Sequence, residues 1–339
     1  MGKGNGLMCN EELGMRNVEY LKGIYLWVFL FIFLVFKPVL LPADDEEGIK
    51  TSSELELQIS TMPEVKIRFS QSFVFPFLQG NGPLTRDNNI AAVLAAEVTP
   101  ISVTGIGEIT WTPAAFFLLS GGGQIGSGWD IPLGSGIGLN LPADNDSSEN
   151  PHLSKIDSKA FDGLVWQTWG AGTFQFDLGA VIPGDWTHVL FQTRQEFRYA
   201  AYTRAASGDL WVFENDDGEN QNGWNYYANY VLGYKMPLSP VLDTIAFMAE
   251  VDKSLYHGPG GDSWGEGLGR WIFSGIMNFS IHPRFSTAFI LQMRTRRNFG
   301  TKNVLNNDYY YRDLELENGD GRRHILFYRA AFILTYKIS

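Results

Sequence analysis

Three stretches of the chain hold residue types suited to catalysis, phosphate binding or cation binding. Gly261-Asp262-Ser263-Trp264-Gly265 matches the G-x-S-x-G nucleophile pattern, with His257 close by. A serine elbow needs a strand before it and a helix after it, so that the hydroxyl is exposed on a strained turn. Here the motif lies among Gly258, Pro259, Gly260, Gly267 and Gly269, and no helical pattern follows. A hydrolase using Ser263 is therefore the weakest reading, and the chain is expected not to be an enzyme. Gly121-Gly122-Gly123-Gln124-Ile125-Gly126 fits G-x-G-x-x-G, but a dinucleotide loop needs a surrounding β-α-β unit. Glycines that smooth a wall are the better explanation. Asn215-Asp216-Asp217-Gly218-Glu219-Asn220 is an acidic run without the spacing of an EF-hand. It reads as a solvated loop, with cation bridging at a membrane surface as the sharper alternative. The histidines have no metal-ligand spacing, so no metal and no cofactor is expected. The single cysteine, Cys9, closes disulfide, zinc and thiol-nucleophile readings for the rest of the chain.

The sharper signal is charge at alternate positions. Arg194, Glu196 and Arg198 form one such set, Glu250 and Asp252 a second, Arg294 and Arg296 a third, and Arg323 and Arg329 flank a fourth. In a strand, residues two apart share a face. Opposed charges across an enclosed lumen can set ion selectivity. They can equally fill a narrow barrel as a structural network, and both readings stand at this stage.

The elements that carry these residues alternate throughout. In the stretch from His188 to Thr203, Val189, Phe191, Phe197, Tyr199 and Ala201 point one way, opposite Gln192, Arg194, Glu196 and Arg198. Similar segments begin at Val65, with Ile67, Phe69, Phe73, Phe75 and Phe77 against Lys66, Arg68, Ser70 and Ser72. They continue through 89–98, 101–111, the glycine-dense 117–129, Leu164 to Ile182, 224–235, 245–252, 271–281, 289–296 and 324–338. Thr99-Pro100, Thr112-Pro113, Pro183-Gly184 and His282-Pro283 mark turns, because proline cannot donate to a strand ladder. Residues 129–161, 204–223 and 298–322 read as long polar loops. Short and long connections alternate, as in barrels that cross an outer membrane. The pattern predicts an all-β fold, an antiparallel transmembrane β-barrel of about 12 strands (roughly 10–14).

Energetics sets which face meets lipid. An arginine on the lipid face near the midplane costs roughly 2–4 kcal/mol, so Arg194, Glu196 and Arg198 must line the interior together. Trp111, Trp129, Trp186, Trp224, Trp271, Tyr234 and Tyr336 lie near strand ends and are expected in interfacial belts. In a soluble sandwich they would instead be core aromatics.

Composition agrees. The 339 residues are 45% hydrophobic, 14% aromatic and only 19% charged, yet mean hydropathy is −0.10, because barrel strands dilute an apolar face with a polar one. A net charge of −11 argues against nucleic acid as a partner. Ile24 to Phe36 is an apolar run of 13 residues behind Arg16 and Lys22, too short for a spanning helix of about 20 and suited to a signal peptide. The expected organisation is a signal peptide over 1–43 (with Met15 as the true start), a short periplasmic segment over 44–62, and an outer-membrane barrel over 63–339. An uncleaved inner-membrane anchor is the alternative for the apolar run.

The Thr-Pro turns, Gly126-Ser127-Gly128-Trp129 and the strand opening Trp224-Asn225-Tyr226-Tyr227 resemble spirochaete outer-membrane barrels, distantly including relatives of the long-chain fatty-acid transporters. The likeness spans residues 88–240. It implies passive uptake of hydrophobic or small polar nutrients across the cell outer membrane. Those transporters have more strands and an N-terminal hatch, for which the residues before Val65 leave little room. Barrel-assembly machinery reads a terminal aromatic; here Ser339 is last, and Phe332 and Tyr336 supply the alternating aromatics further in. That machinery and outer-membrane lipid are the expected partners, with a small-molecule substrate left open. The leading expectation is a channel lined by Arg, Glu and Asp. A fatty-acid conduit, and a non-transporting barrel whose loops bind host or partner, are the alternatives.

Overall fold

The computed structural model describes residues 48–338 apart from 63, 132–133, 143–152, 215, 217, 238–240, 257–268, 298–304, 307–308 and 314–322. The Ser263 motif and the leader lie outside the described residues. In chain order the strands are β1 (Lys50–Ser60), β2 (Glu64–Pro76), β3 (Asn89–Val98), β4 (Ser102–Ala114) and β5 (Phe117–Gly128), then β6 (Asp130–Ile131), β7 (Gly134–Ser135), β8 (Ile137–Pro142) and β9 (Leu153–Asp157). There follow β10 (Val165–Asp177), β11 (Val189–Tyr202), β12 (Trp211–Phe213), β13 (Gly223–Lys235) and β14 (Leu242–Ser254). The last are β15 (Arg270–His282), β16 (Phe285–Arg297), β17 (Leu305–Asn306), β18 (Tyr309–Asp313) and β19 (Arg323–Lys337).

Twelve strands close on themselves in the order β1-β19-β16-β15-β14-β13-β11-β10-β5-β4-β3-β2, with every pairing antiparallel. Closure satisfies the backbone of every wall strand without leaving a free sheet edge, the condition for a sheet to cross a bilayer. The strands run 10 to 15 residues, enough for a tilted crossing. Ile67, Leu94, Ile109, Phe197, Leu232, Phe247 and Leu291 all stand exposed on the outer face. A soluble monomer does not expose so continuous an apolar surface. Arg194, Glu196 and Arg198 share the opposite, inner face, with Phe197 55% exposed outside. The sandwich alternative is thereby overturned, and the fold is an all-β transmembrane-type barrel of 12 strands.

Connections sort by end. Links 77–88, 115–116, 178–188, 236–241 and 283–284 lie at the end where β1 begins and β19 finishes, here termed the turn end. The other, the loop end, carries 61–63, 99–101, 129–164, 203–222, 255–269 and 298–322. The longest connections therefore leave the wall strands at one rim. They contribute a second sheet, ordered β12-β8-β9-β18-β17, so 129–161 is not the featureless loop that its lack of periodicity suggests.

Three further differences have local causes. Residues 50–60 are the first wall strand, not part of a segment ahead of the barrel: Leu55, Leu57 and Ile59 alternate with Glu54, Glu56 and Gln58, and β1 closes the cylinder against β19. Strand β10 stops at Asp177 because its carboxylate caps the Gly179 amide at 2.8 Å and starts a 3-10 turn, leaving Leu178 and Ile182 outside the strand. In β19 a bulge opposite Gln292 and Met293 shifts the phase, so that Phe327 rather than Tyr328 takes the outer face beside Met293.

Candidate functional site

The inner face is a set of ion-pair rows laid out by strand register. Glu196 stands level with Tyr227, Asp252 and Arg270 across β11, β13, β14 and β15. Arg198 lies 3.5 Å from Glu196 and 3.9 Å from Asp252, with its guanidinium 4.5 Å over the Tyr227 ring. Arg270 reaches Asp252 at 3.1 Å, and the Tyr227 hydroxyl donates to Glu250 at 2.6 Å. Glu196 is only 7% exposed, so its charge is held by Arg194 at 2.9 Å and by Arg198.

A second row runs Glu108, Gly122, Trp169, Arg198 across β4, β5, β10 and β11. Trp169 lies across the site where Gly122 has no side chain, and a Cβ there would come within 2.6 Å of both its ring and the Gly107 carbonyl. From this position Trp169 donates to Glu108 at 2.8 Å, and Arg194 reaches the same carboxylate at 3.0 Å. The G-x-G-x-x-G stretch is therefore barrel wall in β5, and one of its glycines makes room for a lumen tryptophan.

Other sectors repeat the arrangement. Arg68 pairs with Glu97 at 3.0 Å and Lys66 with Glu97 at 3.4 Å. Arg329 donates to Gln292 at 2.6 Å, pairs with Glu64, and shares the Tyr328 ring with Arg294, which lies 4.3 Å above it. Arg296 stands level with His324 at the loop end of β16 and β19. The charged positions expected from the alternation thus all lie on wall strands.

At the loop end, loop residues pack against the inner wall. A buried apolar cluster sits there: Val165, Ala200 and Tyr202 from the inner wall pack against Ile137 of β8 and Trp211 of β12, with Leu139, Ala205 and Phe213 around them. The loop over 203–222 is folded inward. Asn222 clamps its foot, accepting from the Tyr202 amide and the Trp211 indole and donating to the Tyr202 and Ala205 carbonyls. Glu214, at φ 54, accepts from Ser102 of β4 at 2.7 Å and lies 3.7 Å from Lys66 of β2. A non-glycine residue in that region is held there only by its surroundings. Toward the opposite sector, Glu219 faces Arg297 and Arg323, each at 3.6 Å. The described residues of the acidic run are therefore not a solvated loop: Asp216 bonds the Gly218 amide at 2.7 Å and also Asn220, while the Glu219 side chain is buried. Among the described residues no group of His, Cys, Asp and Glu is arranged to hold a metal ion.

The aromatics expected at the interfaces lie near the two ends of the wall, with one exception. Trp166, Tyr199 and Trp224 form a row toward the loop end at centroid spacings of 5.4 and 5.5 Å, and Trp271 stacks on Phe273 nearby in the wall. Trp111, Tyr234 and Tyr336 lie toward the turn end, with Trp186 in the adjoining link. Trp129 is not in a belt: it is 6% exposed and packs on Phe161, because the chain has already left β5 and turned into the loop-end sheet. The alternation singles out neither Trp169, Arg270 and Arg297 nor the loop acid Glu214, and Glu219 falls in the acidic run read as a solvated loop. For Arg270 the signal was present, at the inward parity of β15 next to Trp271; Arg297 stands at the outward parity of Leu291 and Met293, so alternation alone points it away from the lumen.

No family model and no curated protein matches the chain. In shape it is similar to a KdgM porin, with TM-score 0.36 and 9% identity over 85% of this chain and 99% of that one. It is similar to a KdgM porin in complex with disordered oligogalacturonate (TM-score 0.35, 10% identity, 86% and 100% covered). A third likeness is the translocator domain of the autotransporter NalP from Neisseria meningitidis (0.32, 9%, 87% and 90%). The fatty-acid-transporter resemblance is not carried by these structures, and the barrel itself is established by its own strand pairing.

Proposed function

We propose that the protein is an outer-membrane channel for passive passage of small hydrophilic solutes, with the long loops outside the cell and the turn end in the periplasm. The observation that carries this reading is the contrast between the two faces of one closed sheet: apolar side chains outside, arginines and carboxylates inside. An aqueous path can be lined by such charges, whereas an acyl chain would have to desolvate them, which speaks against a fatty-acid conduit. The in-folded loop over 203–222 reaches across the mouth, with Glu214 on Ser102 and Lys66 and Glu219 on Arg297 and Arg323. Planar-bilayer recording of the purified, folded protein tests the proposal. Discrete conductance steps are expected, smaller than those of an unobstructed barrel of this size, and their absence in a protein that shows the heat-modifiable band of a folded barrel would refute it. A surface barrel sealed by its ion pairs is the reading that result would favour.

A further inference from the structure

Between the Tyr199–Trp224 row and Tyr234, a polar cluster on β11 and β13 interrupts the apolar outer wall. Thr193 and Gln195 share the outward parity of Phe191 and Phe197, and Tyr226 and Tyr230 that of Trp224 and Leu232. Gln195 lies midway along the 14 residues of β11. Its amide nitrogen donates to Thr193 Oγ1 at 2.7 Å, and its Oε1 accepts from the Tyr226 hydroxyl. An amide offers two N–H donors and two acceptor lone pairs, and these contacts use one of each.

We infer that this face docks a second copy of the chain, wall to wall in the membrane, with the Gln195 amides of the two copies bonded to each other. Depth decides against lipid headgroups, because the hydrocarbon core is about 30 Å thick and the cluster stands midway along the wall. Acyl chains fill space but offer neither donor nor acceptor, so the spare amide groups would go unsatisfied, which is costly in hydrocarbon. A primary amide, by contrast, is complementary to itself. Copies inserted in the same direction and related by a two-fold along the membrane normal present each residue to its own depth on the other, so Gln195 meets Gln195. The wall leaves room for that approach: Gly172 of β10 stands opposite Gln195, and a Cβ there would meet nothing closer than 4.0 Å. Phe197, 55% exposed and 5.5 Å from the Tyr226 ring, adds an apolar flank. Gln71 of β2 also faces outward, beside Ser53 of β1 at 2.5 Å, and gives a control face. The inference concerns the outer wall and goes beyond the channel reading; it holds whether or not the lumen conducts.

The test uses the full chain with Cys9→Ser and Asp185→Cys, a position in the exposed link between β10 and β11. Donor-labelled and acceptor-labelled protein is refolded together into phosphatidylcholine vesicles, and energy transfer is followed as lipid is added at fixed protein. Transfer is expected to persist below the density at which randomly placed barrels lose it, and to be competed away by unlabelled protein. Thr193→Val, Gln195→Leu, Tyr226→Phe and Tyr230→Phe together should raise the protein density for half-maximal transfer by about tenfold, the scale of two hydrogen bonds in hydrocarbon. The heat-modifiable band should be retained, and Gln71→Leu should leave transfer unchanged. As a second measurement in the Cys9→Ser chain, Phe197→Cys should give a disulfide-linked dimer on mild oxidation. Leu94→Cys, level with Gln71, should not. Transfer at the random level in the otherwise unchanged chain would mean that lipid covers this face and would overturn the inference. Undiminished transfer in the fourfold variant, or equal crosslinking from Leu94→Cys, would overturn it as well.

Discussion

Single side chains in the lumen are placed by their register partners, and Gly122 shows how little freedom that leaves. A Cβ at Gly122 meets the Gly107 carbonyl and the Trp169 ring at 2.6 Å, whereas one at Gly170 has nothing within 4 Å. Gly122→Val should therefore lower stability by about 1–3 kcal/mol through overpacking and displace Trp169 from Glu108. Gly170→Ala should stay within about 0.5 kcal/mol. Denaturant midpoints of the two variants in detergent check the contrast, and equal midpoints would remove Trp169 from the wall described here. At this scale the alternation made Arg194, Glu196, Arg198, Glu250 and Asp252 legible, because a period of two needs only near neighbours in sequence. The contact of Glu219 with Arg297 and Arg323 was not legible, because it depends on how a loop returns over the mouth. Trp129 was misplaced for the same reason: its neighbour Phe161 lies at the far end of a loop.

At the level of strands, the element with most leverage is β1. Its apolar residues alternate with acids as clearly as those of any other strand, but a short run behind a leader reads as a spacer until its partner at the other end of the chain is known. Leu57 lies between Ile67 of β2 and Leu334 of β19. Leu57→Pro removes a ladder donor from a strand paired on both sides and should cost about 3 kcal/mol or more. The expected result is loss of the heat-modifiable band. A variant that keeps the band would mean that the cylinder closes without β1. The bulge in β19 was equally invisible in sequence, since Tyr328 is aromatic and fits either face; its stacking beneath Arg294 and Arg329 fixes it inward.

For the molecule as a whole, the apolar outer belt specifies the solvent in which the fold exists. Phe247 lies near the middle of β14 and is 52% exposed. Phe247→Arg should destabilise the barrel by roughly 2–4 kcal/mol in liposomes, and the loss should largely vanish for an exposed link residue such as Trp186→Arg. Reversible denaturant titration in lipid measures both, and equal costs would argue against a bilayer around β14. Another whole-molecule property follows from how the cylinder is joined. β10 and β11 share thirteen register pairs, but β1 and β19 share only seven, from Glu54 opposite Lys337 to Ser60 opposite Ala331. The wall thus has a seam, held by roughly half as many rungs as its firmest joint. Amide deuteration should advance first along that line, and a helper that splices the finished sheet into a bilayer would have its natural grip there.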